Sequence, residues 1–247
     1  MTSPEKPSLA GNEVSLWIAR VDECFEAMPE EEWLALLPEE ERAVCLRARV
    51  DSVRQERTLA RVLIRRGLSH FAARPPGWWR FTENEFGRPL VQNGTGLTFN
   101  ASHSRGLVVC AFGRGREVGV DTESHERSVP EWEGLGRFLS PTEQAYLSKV
   151  PPEQYSRTFF RFWTLKEAYA KARGVGLSIG FDAFSIDLGP RPDVPPERPL
   201  LLDDRTTTRW HLHELSVPPH HLVGLAVEEI EPNESVSVLT RRIKECP

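Results

Sequence analysis

The chain has 247 residues, of which 39% are hydrophobic and 27% are charged, a composition that supports one large or two small globular domains. Its net charge of −5 excludes a general nucleic-acid binder. No apolar run reaches the roughly 20 residues of a membrane-spanning helix. Four scattered cysteines and a polar start without a signal sequence predict a cytoplasmic protein with reduced thiols and no membrane partner.

Residue patterns predict alternating groups of helices and strands. In chain order we expect a strand at 14–21, helices at 29–41 and 39–70, short strands at 79–82 and 96–100, and buried strands at 106–112 and 117–120. The second half predicts a helix capped by Ser140, a longer helix at 152–173 that ends at Gly174, a Pro-rich loop at 189–199, and strands at 184–188, 210–215 and 222–227.

This order predicts an α+β fold of two similar subdomains rather than a doubly wound parallel sheet. We expect a disordered lead-in at 1–13, an N-terminal subdomain at 14–115, a C-terminal subdomain at 116–230 and a polar tail at 231–247. The expected arrangement is a monomer whose halves are related by a pseudo-twofold axis, with the active site in the cleft between them. No internal sequence repeat supports this symmetry.

Two motifs about forty residues apart carry most of the chemistry. Gly119-Val-Asp-Thr-Glu123 predicts a strand in which Asp121 and Glu123, two residues apart, point to the same side. In the predicted helix at 152–173, Glu167 and Lys171 share one face. Three carboxylates form the oxygen-rich set that Mg²⁺ prefers, and a lysine suits a phosphate. Either motif alone is equally typical of a solvent-exposed turn or helix.

Two further segments strengthen that interpretation. Phe99-Asn-Ala-Ser-His-Ser104 is a polar cluster between apolar segments, where Ser102 and His103 offer donors for a diphosphate. The alternative for His103 is a half-buried structural histidine. The turn at Gly87-Arg88-Pro89 presents a cation for another phosphate.

Together these segments resemble the 4′-phosphopantetheinyl transferases of the Sfp type, in the branch with the W-x-x-K-E-A motif. The resemblance covers about residues 37–227. It rests on the segments above together with Phe86-Gly-Arg-Pro89, Phe162-Trp-Thr-Leu-Lys-Glu-Ala168, Lys171 and Gly174-Val-Gly-Leu177. The resemblance implies transfer of phosphopantetheine from coenzyme A to a serine of an apo acyl or peptidyl carrier protein, with release of adenosine 3′,5′-bisphosphate.

The resemblance also implies the roles of individual residues. Asp121, Glu123 and Glu167 would hold Mg²⁺, or Mn²⁺ as the alternative ion, and Glu167 or Glu123 would act as general base. The implied coenzyme A contacts are Arg57, Thr58, Arg88, Pro89, Ser102, His103, Asp121, Lys166 and Lys171, of which His103 and Lys171 would also assist catalysis. Arg88 replaces a lysine usual in the family, and Lys166 would either neutralise phosphate or brace the site.

Two other functions remain open at this point. One is a non-catalytic descendant that only binds coenzyme A or a carrier protein, and the other is a different Mg²⁺-dependent phosphotransferase. The first would be favoured by a lost metal ligand, and the second would need a nucleotide loop of the G-x-x-x-x-G-K-[ST] kind, which the sequence lacks.

Two groups of residues have simpler interpretations. The histidines His211, His213, His220 and His221 predict a surface hairpin rather than a zinc site. The arginines of the helix at 39–70 predict a solvated face or part of a coenzyme A and carrier-protein surface.

Overall fold

A computed structural model describes residues 8–129, 132–190 and 199–244. Over these residues the chain folds into six α-helices and eleven strands, which confirms the α+β class. None of the described helices combines the length and the apolar character that a bilayer-spanning segment requires. Residues 1–7 of the predicted lead-in at 1–13, and residues 191–198 of the predicted Pro-rich loop, lie outside the described residues.

The chain forms two compact units. Unit 1 comprises Met1–Glu117 and Ser235–Pro247, and unit 2 is the continuous segment Val118–Glu234. The predicted boundary at 115/116 lies two residues before this division. The chain thus leaves unit 1 after Glu117 and returns to it at Ser235.

Unit 1 is a four-stranded sheet with helices packed on it. The sheet contains β1 (Glu13–Arg20), β4 (Leu97–Ser104), β5 (Leu107–Arg114) and β11 (Ser237–Ile243), in the order β11-β1-β5-β4. The other elements are α1 (Val21–Ala27), α2 (Glu30–Ala35), α3 (Glu39–Leu46), α4 (Asp51–Ala72) and a hairpin of β2 (Phe81–Glu83) and β3 (Pro89–Val91). Helix α4 buries Leu59, Leu63 and Leu68, and its Gly67 leaves room for the ring of Phe112.

The predicted helix at 39–70 is wrong as a single element, because it is interrupted between Leu46 and Asp51. Glu30 pairs with Arg54 and Glu41 pairs with Arg65, the latter at 2.7 Å. Glu41 and Arg65 would be about 36 Å apart in one straight helix, at 1.5 Å per residue. The chain therefore turns back, and two arginines assigned to a solvated face instead join α2 and α3 to α4.

The predicted polar tail is also wrong, because residues 237–243 form β11. This strand pairs in parallel with β1 from Glu13↔Ser237 to Ala19↔Ile243, and Ile243 is buried. The predicted lead-in at 1–13 is likewise too long, because Leu9 is buried and β1 begins at Glu13. Charged residues on the exposed side of β11 hide its strand character in the sequence.

Unit 2 places one long helix on a three-stranded sheet. The sheet contains β6 (Val118–Ser124), β9 (Trp210–Val217) and β10 (His221–Glu228), in the order β6-β10-β9. Helices α5 (Pro141–Leu147) and α6 (Pro152–Arg173) and a small pair of strands, β7 (Ser185–Asp187) and β8 (Leu200–Leu202), complete it. The structure confirms the predicted bounds of α6, which ends at Gly174 with φ of 66°.

Candidate active site

Two glycines bring helix α6 directly against the strands that carry the acids. A Cβ at Gly119 would lie 2.0 Å from the carbonyl oxygen of Ala168, and a Cβ at Gly224 would lie 2.5 Å from that of Thr164. Gly224 pairs with Asp121 across β10 and β6. Because alternate strand residues share a face, Asp121 and Glu123 lie on the same side of β6 as Gly119, the side that α6 covers.

Each of the two strand acids is paired with a cation in unit 2. Lys171 Nζ lies 2.6 Å from Asp121 Oδ1 and also donates to the carbonyl oxygen of Val120 at 3.3 Å. Arg127 Nη1 donates to Glu123 Oε1, from one turn further along the chain. The structure therefore pairs Asp121 with Lys171, the lysine that the motifs reserve for a phosphate, and adds Arg127, which no sequence signal indicated.

The carboxyl group of Glu167 has a strongly perturbed pKa. Burial raises the pKa of Glu167 to about 7, and the negative charges of Asp121 and Glu123 add to this rise. Lys171 opposes it. The three carboxylates thus repel each other at short range in a poorly solvated place, a condition that a divalent cation relieves.

The residues fit a hard divalent cation by their chemistry. Asp121, Glu123 and Glu167 offer only oxygen ligands, the kind that Mg²⁺ takes. Within the described ranges, no three His, Cys, Asp or Glu side chains already stand in a metal-binding arrangement. The side chains of Lys171 and Arg127 explain this, because each binds a carboxylate oxygen that a metal ion would need as a ligand.

Lys166 does not fit the phosphate-binding role that the resemblance implied. Its side chain has no exposed surface, and its ammonium donates to the carbonyl oxygens of Phe181 (2.5 Å) and Phe184 (2.7 Å) and to Glu143 Oε2 (2.8 Å). Three acceptors use all three N–H groups of a lysine. Lys166 therefore links helix α6 to the segment 181–184 and to Glu143 on α5, which is a structural role.

In unit 1, His103 is held by a buried carboxylate. His103 Nδ1 lies 2.9 Å from Glu56 Oε2, and Glu56 Oε1 accepts a hydrogen bond from the backbone N–H of Gly106 at 2.6 Å. His103 remains about one-third exposed, whereas Glu56 is buried on α4. Glu56 thus orients the imidazole ring of His103. The sequence did not predict this role, although Glu56 directly precedes the predicted Arg57-Thr58 pair.

The polar segment that contains His103 lies in strand β4, which extends four residues beyond the predicted strand at 96–100. Ser102 pairs with Val109 and His103 with Val108 across β5. Because neighbouring strand residues point to opposite faces, the side chains of Ser102 and His103 diverge. Ser102 is buried with Asn100 on one face, so the structure separates two donors that the sequence analysis placed together.

Arg57 and Thr58 have contrasting environments on α4. The Arg57 residue is exposed, whereas Thr58 has no exposed surface. Thr58 Oγ1 has no hydrogen-bond partner among the described atoms. Arg57 is therefore accessible to a ligand, and Thr58 belongs to the interior of unit 1.

Arg88 and Pro89 lie at the turn of the β2–β3 hairpin. The Asn84 side chain accepts the backbone N–H groups of Phe86 and Arg88, and Gly87 takes the positive φ of 79° that closes the turn. The Arg88 guanidinium pairs with Glu117 at 2.5 Å and is largely buried. The predicted turn is confirmed, but the positive charge of Arg88 is already partly neutralised by Glu117.

The histidines of unit 2 do not assemble a metal site. His211 and His213 lie on β9 and His221 on β10, and His220 pairs with Glu126 at 3.1 Å. The hairpin is confirmed, since His211↔Val227 and Val217↔His221 are register pairs of two antiparallel strands. Its predicted surface position is wrong for β10, which is the central strand of the sheet and in which His221 is buried.

Residues 117–226 match the family model described as the 4′-phosphopantetheinyl transferase superfamily. The 4′-phosphopantetheinyl transferase HetI of a Nostoc species is 30% identical over 231 residues, which cover 92% of this chain and 92% of that protein. The transferase Sfp of Bacillus subtilis is 30% identical over 170 residues, or 68% of this chain and 74% of that protein. A holo-(acyl-carrier-protein) synthase from Bacillus anthracis in complex with CoA (3′,5′-ADP) aligns with a TM-score of 0.39 and 21% identity, over 47% of this chain and 96% of that one.

The two relatives define the class of this protein as a transferase. Since the similarity to HetI extends over nearly the whole of both chains, the chain belongs to the 4′-phosphopantetheinyl transferase superfamily. The resemblance drawn from the sequence motifs is thereby confirmed.

Proposed function

We propose that this enzyme transfers 4′-phosphopantetheine from coenzyme A to a serine of an apo carrier protein, with Mg²⁺ held by Asp121, Glu123 and Glu167. Relatives named as 4′-phosphopantetheinyl transferases support the reaction. The observation that carries the site is the packing of α6 on β6, which places Glu167 where the charges of both strand acids act on it.

The reaction needs a proton acceptor for the carrier serine. Its hydroxyl oxygen forms a bond to the phosphorus of the phosphopantetheine group while its proton passes to a carboxylate. The bond from that phosphorus to the bridging oxygen breaks, and adenosine 3′,5′-bisphosphate leaves with the electron pair. Both candidate bases are also proposed Mg²⁺ ligands, and Glu167 is favoured because Glu123 is already paired with Arg127.

Charge neutralisation completes the proposed mechanism. Mg²⁺, when bound, would neutralise the diphosphate and the leaving group. Lys171, released from Asp121 as a cation binds, would donate to a phosphate oxygen.

We assign the phosphate and nucleotide contacts of unit 1 to His103, Arg57 and Arg88. His103 is partly exposed and its ring is oriented by Glu56, and Arg57 is accessible on α4. Arg88 supplies a planar fork that suits a phosphate group, although it must share its charge with Glu117. Pro89 fixes the backbone next to it, and the buried Ser102 and Thr58 support the surrounding strand and helix.

We further propose that the protein works as a monomer in the cytoplasm. The three cysteines of the described residues, Cys24, Cys45 and Cys110, are buried free thiols, as expected in a reducing compartment. Size-exclusion chromatography with light scattering would give the mass of the particle in solution.

The test combines purified protein, coenzyme A, Mg²⁺ and a panel of apo carrier proteins from fatty-acid, polyketide and nonribosomal-peptide systems. Intact mass spectrometry of the carriers would show a gain of one phosphopantetheine, lost with EDTA and restored by excess Mg²⁺. A carrier with its acceptor serine replaced by alanine is the matched control. Binding of coenzyme A without transfer to any carrier would contradict the proposal and favour a binding protein.

A further inference from the structure

Lys166 is a buried charge directly beside the candidate metal ligand Glu167. Its ammonium contacts two backbone carbonyls from the segment 181–184 and the carboxylate of Glu143, and it lies 4.1 Å from the ring centre of Phe184. Desolvation by burial lowers the pKa of Lys166 and raises that of Glu143, while the charge of each partner opposes the shift. Burying the charged side chain of Lys166 costs desolvation free energy, which a leucine at this position would not.

Glu143 connects this lysine to two further elements. Its Oε1 accepts the backbone N–H of Ile186 on β7 at 2.7 Å, and its Oε2 accepts that of Ser140 at 2.8 Å. The Ser140 side chain accepts the N–H of Glu143 in return, which forms a capping box at the start of α5. The pair Lys166–Glu143 thus joins α6, α5 and β7 through hydrogen bonds whose donors and acceptors are all inside unit 2.

The contacts of Lys166 restrict rotation of α6 about its axis. The close approach at Gly119 and Gly224 sets the distance between helix and sheet. Rotation of the helix is opposed by its ion pairs, Lys171–Asp121 and Arg161–Glu214 on the sheet and Lys166–Glu143 on α5. A turn of about 20° would move a carboxylate, roughly 6 Å from the axis, by about 2 Å. Metal–ligand distances tolerate only about 0.2 Å, so such a turn would remove Glu167 from a shared cation.

We propose that Lys166 and Glu143 are a positioning pair that fixes the rotation of α6 and thereby the place of Glu167 relative to Asp121 and Glu123. This inference rests on the proposed function, since it assigns the pair to the affinity of that same cation site. Neither residue touches the cation or the substrate. The competing explanation is a pair that stabilises unit 2 and leaves cation affinity unchanged.

The experiment compares Lys166→Met and Glu143→Gln with Arg161→Met. Methionine keeps the length of the lysine stem, and glutamine removes the charge and can keep the capping-box bond to Ser140 through its one carbonyl oxygen, with loss of the acceptor for Ile186. Arg161 is the matched control, because it lies on the same helix and forms a similarly shielded ion pair with Glu214 at 2.7 Å, on the β9 side. Mn²⁺ binding would be measured by electron paramagnetic resonance with saturating coenzyme A, alongside the melting temperature.

We expect both test variants to bind Mn²⁺ about 10-fold or more weakly, as for other residues that orient metal ligands, and Arg161→Met to bind like the wild type at a similar loss of stability. Amide hydrogen exchange of residues 181–186 should quicken in the test variants only. Wild-type Mn²⁺ affinity in a folded Lys166→Met or Glu143→Gln protein would overturn the proposal. If Lys166→Met does not fold, Glu143→Gln decides. If the wild-type protein binds no Mn²⁺, the proposed metal site at Asp121, Glu123 and Glu167 is wrong, and this inference falls with it. The wild-type sample alone reveals that outcome.

Discussion

At the scale of single residues, the acids of β6 are balanced by nearby cations. Asp121 is only 5% exposed and pairs with Lys171, while Glu123 pairs with Arg127. Asp121 without its partner would be a buried and uncompensated charge, so the Asp121–Lys171 pair stabilises unit 2 before any divalent cation binds. Binding a divalent cation then means an exchange of partners. Lys171 and Arg127 are therefore expected to affect the affinity for Mg²⁺ in different ways.

Replacing Asp121 with alanine should lower the rate of phosphopantetheine transfer by about 100-fold or more, because it removes one of the three proposed Mg²⁺ ligands. Asp204→Ala is the control, since Asp204 is exposed in the same unit. Transfer to a carrier protein would be followed by intact mass spectrometry under matched Mg²⁺. Near-normal transfer by Asp121→Ala would remove the central element of the proposed site.

Replacing Arg127 with alanine should lower the Mg²⁺ concentration needed for half-maximal transfer, because Glu123 would no longer share an oxygen with a guanidinium. The stability of the protein should change little, since the Arg127 side chain is 45% exposed. A Mg²⁺ titration of the initial rate measures the effect. A rise in the Mg²⁺ requirement would instead show that Arg127 supports substrate or metal binding.

At the scale of elements, the site depends on a helix that lies on bare backbone. Gly119 on β6 and Gly224 on β10 let α6 approach closer than any side chain would allow. The motif glycine therefore serves packing, and through packing it sets the distance from Glu167 to the strand acids. The adjacent Lys166–Glu143 pair acts on the same helix from another side.

Gly119→Ala should lower the free energy of unfolding by about 2 kcal/mol or more, because backbone atoms of α6 stand 2.0 and 2.4 Å from the added Cβ and cannot rotate away. Gly136→Ala is the control in the same unit, where the nearest atom is a flexible Gln144 nitrogen at 3.9 Å. Urea denaturation would give both values. Equal stability of the two variants would contradict the close approach.

The sequence predicted best those elements whose signals are local. The strand carrying Asp121, the bounds of α6 and the capping box at Ser140 all follow from side-chain periodicity and end signals over a few residues. Glu56 and Glu143 were missed as site residues, because their partners lie far along the chain. His103 is 47 residues from Glu56.

The helix break between α3 and α4 and the strand β11 were missed for a related reason. No glycine or proline marks the break at residues 47–50, and contacts formed after the chain turns back stabilise it, among them the Glu41–Arg65 ion pair and the hydrogen bond from Arg54 to the carbonyl oxygen of Ala48. In β11, five of seven residues are exposed, so pairing with β1 rather than hydrophobic alternation defines the strand.

At the scale of the whole molecule, the chain crosses between its units twice. Unit 1 is assembled from two segments that are separated by all of unit 2. Its sheet is complete only when β11 covers the outer edge of β1 along seven residue pairs. The stability of unit 1 thus depends on residues on the far side of unit 2 in the sequence.

Ending the chain after Glu234 should therefore destabilise unit 1. The lost burial of Ile243 alone corresponds to about 2 kcal/mol, and the backbone groups of β1 would lose their parallel partner. A chain ending after Lys244 retains β11 and is the control. Hydrogen exchange of β1 amides measures the effect, and equal protection in both truncated proteins would show that β11 contributes nothing.

The return of β11 also has a consequence for synthesis on the ribosome. Strands β1, β4 and β5 emerge early and can pair, but the outer edge of β1 stays open while more than a hundred residues of unit 2 are translated. An open strand edge invites pairing with other chains. Unit 2 is continuous and can fold as soon as it emerges. Until β11 emerges, the nascent chain therefore exposes an unpaired strand edge in unit 1, and this interval is when chaperone protection would matter most.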